Sequence, residues 1–475
     1  IFVEEREAAG GDGGDGGGGG GGGGVFANKT SGFLISDDLR MVPNVAGSVM
    51  RTLGNLGVSD TEGAELRVVT FGFNEIMDLL KGSLLSSTPL TDIVLGKQPT
   101  DSASAVSEPA VSTREPTEKE TTSVSKKVVN LKLMVQESTN KLLFAQAESD
   151  FVNFLSSLLA IPLGGAEYLL GSRNCFKSID NLHGSIVDII DAKYLATPYM
   201  KSRLTKPMLA YGYMSENRIL PLGEERKIVS PTVGYEPETL LCNKIEKETE
   251  SNSKKKMNLK LMVQESTNKL LFAQADDDFV DFLFTLLTVP LGGVLDCVLG
   301  SHTNGLKSID NLYRSVKTLI DDKYFLAPDT KTRLMKPKLP RGFMSKNPIL
   351  PLSEEESVHW LYYNCNADKK EWLSYSDSGR KIRVVYPKGQ STDFVKGPTM
   401  YMVSDDLTVK PLSMSYSISF LNEMKIPLSD IKEVEVQIGL QEAISILKAS
   451  LTSTSALTDG LMINPVSNKT RKLEH

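Results

Sequence analysis

The chain of 475 residues carries 53 Lys and Arg against 59 Asp and Glu, a formal net charge of −6, and 40% of its residues are hydrophobic. This acidic balance argues against a strong electrostatic footprint for nucleic acid or for an anionic membrane surface, and no apolar run is long enough to predict a membrane span. The four cysteines are far apart and form no C-x-x-C pair, so neither a zinc knuckle nor a disulfide framework is indicated. Reduced thiols favour the cytoplasm, with the nucleus as the alternative.

A glycine-rich segment, residues 1–24, opens the chain, and we expect it to be disordered because glycine tracts are too polar and flexible to pack. Residues 25–97 follow as a first module, which we name the C module. Its pattern predicts strand, turn, strand, helix, strand and helix, with the turn at the Ser-Asp-Asp-Leu sequence of residues 36–39. The last helix carries one apolar stripe, expected to face a core. The stripe consists of Phe73, Met77, Leu80 and Leu84.

Residues 98–127 are rich in Ser, Thr, Pro and Glu and predict a mobile linker. A second type of module, the N module, occupies residues 128–223. Two short alternating runs on either side of Ser-Thr-Asn predict a β-hairpin. Apolar residues at helical spacing then predict an amphipathic helix, which Pro162 and Gly164 end. The apolar face is formed by Phe151, Phe154, Leu155, Leu158 and Leu159.

The N module occurs twice. After a charged linker, residues 224–256, the 18 residues that begin at Asn130 return unchanged from Asn258. Of the 35 positions in residues 131–165, 28 match those in residues 259–293. Self-similarity of this strength indicates that the fold was built by duplication of one structural unit.

The last part of the chain, residues 257–463, is predicted to be one complete unit, in which an N module and a second C module share a core across an insertion at residues 354–389. A tail, residues 464–475, follows it. The first two modules occur in the reverse order, like a circular permutation of this unit. We therefore expect residues 25–97 to dock against residues 128–223. Hairpins and short sheets packed with amphipathic helices, without regular β-α-β alternation, favour an α+β fold for these duplicated modules and their disordered linkers.

Three sequence patterns together closely resemble one uncharacterised plant family, known as domain of unknown function 674. They are LKLMVQESTNKLLFAQAxxDFVxFLxxLLxxPLGG in the N modules, and MVSDDLTVKP and EAISILKASL in the second C module. The resemblance implies a plant source and tandem modules, and it implies no activity. It also implies an aromatic-Cys element followed by a Cys-Pro-x-Cys pair in the insertion. Tyr362, Tyr363 and Cys365 match the element, but no cysteine follows, so the metal-ligand set is incomplete.

Adjacent carboxylates in both C modules are the candidates for catalysis or metal binding: Asp37, Asp38, Asp405 and Asp406. Two neighbouring carboxylates can ligate Mg²⁺ or divide the roles of acid and base. Ser-Asp-Asp between two short apolar runs is also a favoured turn, in which Asp bonds its own backbone, and this interpretation is the stronger one. A metal-dependent enzyme that uses these pairs is the second hypothesis for the function.

A basic sequence, K-x-R-L-x-K-P, recurs in the two N modules and is the strongest candidate for contact with an anion or a partner. Its charged residues are Lys201, Arg203 and Lys206 in the first copy, and Lys331, Arg333 and Lys336 in the second. The competing interpretation is a solvated basic loop before a proline. Nucleic-acid binding through these loops is the weakest hypothesis, given the acidic balance of the chain.

The pattern of repeated modules and flexible linkers favours a noncatalytic interaction or scaffold protein with an unknown protein partner. The four histidines of the chain accompany no nucleophile motif. We therefore assign no catalytic residue, no metal ligand and no cofactor from the sequence, and we expect neither nucleic acid nor a membrane as partner.

Overall fold

The protein is α+β, with two five-stranded antiparallel sheets in the part of the chain that can be described. The computed structural model describes residues 2–6, 26–28, 32–45, 49–55, 58, 61–94, 128–137, 139, 141–171, 176–215, 220–225, 256–298, 306–340, 342–345, 348–354, 358–363, 372–373, 380–385 and 393–461. The glycine run, the predicted linker at residues 98–127 and the C-terminal tail lie outside these residues. No helix among the described residues is long and apolar enough to cross a bilayer.

Each C module shows the predicted order of strand, turn, strand, helix, strand and helix. The strands are β1 (Phe2–Arg6), β2 (Phe33–Ile35), β3 (Met41–Pro43), β4 (Ala64–Phe71), β5 (Val129–Gln136), β6 (Lys141–Ala147), β7 (Met257–Gln264), β8 (Lys269–Ala275), β9 (Val358–Tyr363), β10 (Trp372–Leu373), β11 (Arg380–Val385), β12 (Tyr401–Val403), β13 (Val409–Pro411) and β14 (Ile431–Ile438). The helices are α1 (Val49–Asn55), α2 (Phe73–Leu85), α3 (Pro89–Val94), α4 (Ser149–Leu158), α5 (Leu163–Leu170), α6 (Lys177–Gly184), α7 (Met200–Thr205), α8 (Asp277–Thr288), α9 (Leu291–Val298), α10 (Lys307–Arg314), α11 (Thr330–Met335), α12 (Met414–Glu423), α13 (Leu440–Thr452) and α14 (Ala456–Gly460). Single π-helical turns, Ser185–Ile189 and Ser315–Leu319, extend α6 and α10.

Each N module begins with the expected hairpin, β5 with β6 and β7 with β8. The side chains of β5 alternate between buried and exposed because successive residues of a strand point to opposite faces of the sheet. Both hairpins bulge at the same place, between Met134 and Val135 and between Met262 and Val263. Helices α4 and α8 pack beneath the buried face of the hairpins.

A C module completes each sheet. The first sheet has the order β3-β2-β6-β5-β4 and the second has the order β13-β12-β8-β7-β14. In the first sheet, Phe33 lies opposite Ala147 and Phe71 lies opposite Val129. Through these pairings the first C module docks on the first N module, as the permuted module order predicts.

The helices of each N module also contact the C module of the opposite half, which the predicted docking within each half does not include. Helix α10, from the second N module, packs on α2 of the first C module, and α6, from the first N module, packs on α13 of the second. The Met41 N–H donates to Ser315 Oγ, and the Val409 N–H donates to Ser185 Oγ, both at 2.9 Å. The two halves are therefore interlocked around one core.

The stripe expected on α2 faces this core only in part. Leu80 and Leu84 are fully buried, but Phe73 is 39% exposed because it lies at the first position of the helix, at its end. Ile76 and Leu79 are fully buried and share the inward face with Leu80.

An approximate twofold relation joins the halves where α5 and α9 begin. The Leu163 N–H donates to Val289 O, and the Leu291 N–H donates to Ile161 O, each at 2.9 Å. Each half thus makes the same backbone contact with its counterpart. Such reciprocal contacts are those of a symmetric dimer interface, here formed within one chain.

The insertion and the N-terminus meet in a third sheet, of the order β1-β11-β9-β10. Strand β1 lies within the segment expected to be disordered, and it pairs with β11 from Phe2 opposite Val385 to Arg6 opposite Lys381.

Candidate functional site

The Ser-Asp-Asp sequences form tight hairpin turns in both C modules. The Leu39 N–H donates to Ser36 O at 3.0 Å, and Leu39 has a left-handed backbone with φ of 61°. Asp38 accepts a hydrogen bond from Ser36 Oγ and pairs with Arg40, Nε to Oδ2, at 3.2 Å. In the second turn, the Thr408 N–H donates to Asp406 Oδ1 at 3.1 Å. The second aspartate of each pair therefore holds its own turn.

The first aspartate of each pair binds a different element of the same C module. Asp37 accepts from the Thr91 N–H at 2.8 Å and from Thr91 Oγ1 at 2.5 Å. Asp405 accepts from the Thr458 N–H at 2.8 Å and from Thr458 Oγ1 at 2.9 Å. Burial raises the pKa of Asp37, and the two bonds from Thr91 oppose that shift. Both carboxylate oxygens are used to tie the turn to α3 or α14.

The opposite half fixes the same turns through the repeated sequence Ser-Ile-Asp-Asn-Leu. Asn311 Nδ2 donates to Asp38 O at 2.9 Å, and Asn181 Nδ2 donates to Asp406 O at 3.1 Å. Ser308 Oγ donates to the carbonyl of Ser86, at the end of α2, at 2.6 Å. The acidic turns are therefore contact points between the halves. Among the described residues, no three His, Cys, Asp or Glu side chains are grouped so that they could hold a metal ion.

The two arginines of the K-x-R-L-x-K-P sequences also cross between the halves. Arg203 Nη1 donates to Gly342 O at 2.8 Å, and its guanidinium lies 5.2 Å from the Phe343 ring centre. Arg333 Nη2 donates to Gly212 O at 3.3 Å and lies over Tyr213. Gly212 has φ of +85°, and a Cβ there would lie 2.8 Å from Arg333 Nη2. The left-handed backbone therefore favours glycine at this position, whereas the end of the arginine side chain could shift.

The four lysines of these sequences have partners within their own module. Lys201 Nζ donates to Val187 O at 2.7 Å, and Lys331 Nζ donates to Ile320 O at 3.1 Å. Lys206 lies over the ring of Tyr168, and Lys336 pairs with Asp296 at 3.3 Å. These contacts lie at separate places along α7 and α11. Contact of these residues with an anion or a partner stays a prediction.

The sequence analysis did not find the buried carboxyl groups of Glu167 and Asp281. Glu167 on α5 is 1% exposed and faces Asp180 on α6. Burial and then Asp180 raise the pKa of Glu167 to about 10, so that Glu167 is protonated at neutral pH and can donate to Asp180. The second N module has Leu295 at the position of Glu167. A glutamate at a position where the other copy has leucine is the signal that could have found this pair.

Asp281 on α8 is the second buried group, and it corresponds to Asn153 in the first N module. Asp281 Oδ1 accepts from the N–H groups of Phe394 and Val395, both at 2.9 Å. Asn153 Oδ1 accepts from the N–H groups of Phe26 and Ala27, at 2.9 and 2.8 Å. Burial, the largest effect, raises the pKa of Asp281 to about 7. Each side chain anchors the start of its C module.

The outer faces of the two sheets differ in what covers them. Helix α12 covers the second sheet, where the rings of Phe272 and Phe420 meet edge to face at 6.0 Å. The corresponding Phe144 of the first sheet is half-buried beside a smaller cluster. On the adjoining edge strand β4, Leu66 is 57% exposed and Val68 is 62% exposed. We name Leu66, Val68, Met134 and Phe144 the outer apolar surface.

The edge of the second sheet is charged at the equivalent positions. Leu66 lies opposite Met134, and Glu433 lies opposite the matching Met262. Glu433 and Glu435 replace Leu66 and Val68, and both pair with Lys260, at 3.0 and 3.4 Å. The difference is visible in the sequence once the C modules are aligned.

Comparisons with known proteins agree with the division into two halves. One family model matches the chain twice, over residues 5–236 and 235–441, and its description is protein of unknown function, DUF674. The first match contains the strands of the first sheet, and the second match contains those of the second. No curated protein and no solved structure matches the chain.

Proposed function

The chain belongs to DUF674, a family of unknown function, and we propose that it is a noncatalytic protein-interaction or scaffold protein of plants. We assign it to the cytoplasm, with the nucleus as the alternative, since its widely spaced cysteines suit a reducing compartment. The observation that carries the proposal is the outer apolar surface. Contiguous exposed apolar groups on a folded protein are typical of interaction sites.

The contacts of the repeated motifs support a structural role for them. Asp37 and Asp405 each give both carboxylate oxygens to a threonine. Arg203 and Arg333 each donate to a carbonyl of the opposite half. The aspartates thus tie their turns within each C module, and the arginines join the two halves. These contacts support a structural use of the motifs, with the sheet surfaces as the places for a partner.

The difference between the halves supports the outer apolar surface as the binding surface. In the second half, α12 and the charges of Glu433 and Glu435 occupy the equivalent positions. The same scaffold therefore can cover this region with its own residues. In the first half, Leu66 and Val68 are more than half exposed. Burying both side chains against a partner would stabilise the complex by about 25 cal/mol for each Å² of apolar surface removed from water.

Affinity capture tests the proposal. The full chain is used as bait in a plant extract, beside a variant with Leu66→Glu and Val68→Glu, which carries the residues of the second half. Retained proteins are identified by mass spectrometry, and the purified candidates are then tested for direct binding. We expect at least one candidate to bind the unaltered chain and to lose at least tenfold in affinity for the variant.

The matched control is Leu428→Glu, which adds a charge at a 74% exposed leucine of the second half. It should leave binding unchanged. Equal binding of a candidate to all three chains would contradict the role of this surface. A chain from which no direct binder is recovered would contradict the proposed function.

A further inference from the structure

Strand β4 is an open edge of the first sheet. Among the described residues, β4 pairs only with β5. The Glu137 N–H donates to Gly63 O at 3.0 Å, directly beyond the end of this ladder. In an antiparallel pair, hydrogen-bonded positions alternate along each strand. Residues 65, 67 and 69 therefore bond β5, and residues 64, 66, 68 and 70 direct their backbone groups to the open edge.

The open edge carries side chains that do not oppose pairing with another strand. Leu66 and Val68 lie on the outer face of the sheet and are largely exposed. Glu65 and Arg67 lie on the other face, where they pair with each other at 3.4 Å. An exposed edge with apolar side chains and no net charge is a template for strand addition.

The corresponding edge strand β14 is blocked. The Glu265 N–H donates to Asp430 O at 2.8 Å, so residues 431, 433, 435 and 437 direct their backbone groups outward. An antiparallel copy of β14 centred on Glu433 or on Glu435 would put that glutamate opposite itself. Like charges directly opposite each other destabilise a sheet.

We propose that the β4 edge is a self-association site, at which β4 of a second copy of the chain pairs antiparallel with β4 about a twofold axis at Leu66. This inference rests on the proposed function, since it names the partner of the outer apolar surface. The register is set by backbone and charge together. Leu66 lies opposite Leu66 of the second copy as a hydrogen-bonded pair, because its N–H and C=O both face the edge.

Charge complementarity selects this register. With Leu66 at the axis, Glu65 lies opposite Arg67 of the second copy and Arg67 lies opposite its Glu65. These are non-hydrogen-bonded positions, in which Cα atoms are about 4.5 Å apart and side chains are closest. The pairing joins the two first sheets edge to edge and brings the exposed Leu66 and Val68 side chains together on one face. Interfaces that bury less than about 1,200 Å² of accessible surface in total are typical of weak, reversible association, which is what we expect of pairing through one short edge strand.

Sedimentation velocity of the full chain over a dilution series measures this association. We expect the unaltered chain to shift toward the dimer as concentration rises. The single variants Glu65→Arg and Arg67→Glu should each weaken dimerisation at least tenfold, because each puts like charges opposite each other. The double variant Glu65→Arg with Arg67→Glu should restore it, because the opposite charges then meet in the same register.

The controls separate lost pairing from lost folding and from the broader proposal. Thermal unfolding should show all four chains equally folded, since residues 65 and 67 are exposed. A chain that stays monomeric at all concentrations, or a double variant that does not recover, overturns the inference. If the chain is monomeric but a captured protein still requires Leu66 and Val68, the inference fails and the proposed function stands. If the chain dimerises through β4 but captures no other protein, the inference stands and the proposed function fails.

Discussion

The hairpin strands of the two N modules differ only at their first residue, Val129 against Met257, but different ionisable groups surround them. Glu167 in the first half corresponds to Leu295 in the second, and Asn153 corresponds to Asp281. The contacts that join the halves are nonetheless the same on both sides, down to the serine and asparagine of each Ser-Ile-Asp-Asn-Leu sequence. The serine and asparagine donors are thus present in both halves, whereas Glu167 and Asp281 each occur in one half only. The predictions below exchange residues between the halves or perturb one half alone.

The largest effect is expected from Glu167→Leu, which gives the first half the residue of the second. Folded Glu167 has a pKa of about 10, above the ordinary value of 4.5. Its contribution to stability is therefore complete below about pH 4.5 and is lost as the pH rises toward 10. The slope is about 1.4 kcal/mol per pH unit. Urea denaturation should show the variant gaining about 3 kcal/mol more over the unaltered chain at pH 8 than at pH 6.

The control for this exchange is Glu148→Leu, because the Glu148 side chain is 83% exposed. It should show no such dependence on pH. A Glu167→Leu gain that is equal at pH 6 and pH 8 would mean that Glu167 is already ionised in the folded protein.

Gly292→Ala tests the close packing of α9 against the end of α11 in the second N module. A Cβ at Gly292 would lie 2.7 Å from Leu334 O, a backbone atom that cannot rotate away. Overpacking of this kind should lower the free energy of unfolding by roughly 1–3 kcal/mol. The neighbouring Gly293→Ala is the matched control, since its nearest atom would be at an ordinary 3.6 Å. Equal melting temperatures for the two variants would show that the packing of α9 on α11 tolerates movement.

Asp281→Asn gives the second half the residue of the first. The folded pKa of Asp281 is about 7, above the ordinary 3.8, so the stability from the neutral form is present below about pH 3.8 and is lost up to about pH 7. Asparagine keeps the acceptor for the Phe394 and Val395 N–H groups without a charge. The advantage of the variant should grow by about 2 kcal/mol between pH 5 and pH 7 in chemical denaturation. Asn153→Asp should produce the opposite trend, so that this variant loses stability relative to the unaltered chain between pH 5 and pH 7. If it does not, the pH dependence of stability arises outside this site.

The smallest effect is expected for Asp405→Asn with Asp406→Asn. Each asparagine keeps one carbonyl acceptor for a backbone N–H, so the cost should be about 1 kcal/mol or less. The same changes at Asp37 and Asp38 provide the comparison in the first half. If Mg²⁺ or Mn²⁺ raised the melting temperature of the unaltered chain but not that of the variant, a metal site would replace the turn interpretation.

The sequence by itself determined the duplication, the hairpins, the amphipathic helices and the acidic turns. These features follow from local rules: side chains alternate along a strand, apolar residues recur every three or four positions on a helix, and Asp-Asp between short strands favours a turn. The pairing of the first C module with the first N module also followed, because the permuted module order left each module with an uncovered apolar face.

Only the tertiary structure decided which half each motif contacts. Asp37 binds Thr91, 54 residues away, and Asp38 O accepts from Asn311, 273 residues away. No periodicity in a single sequence encodes such partners, because they depend on how two complete sheets and their helices are placed in space. For the same reason, the contrast between Leu66 and Glu433 could be interpreted only when both residues were located on sheet edges. The β4 edge, with Leu66, is open to another strand, and the β14 edge, with Glu433, is closed by charge.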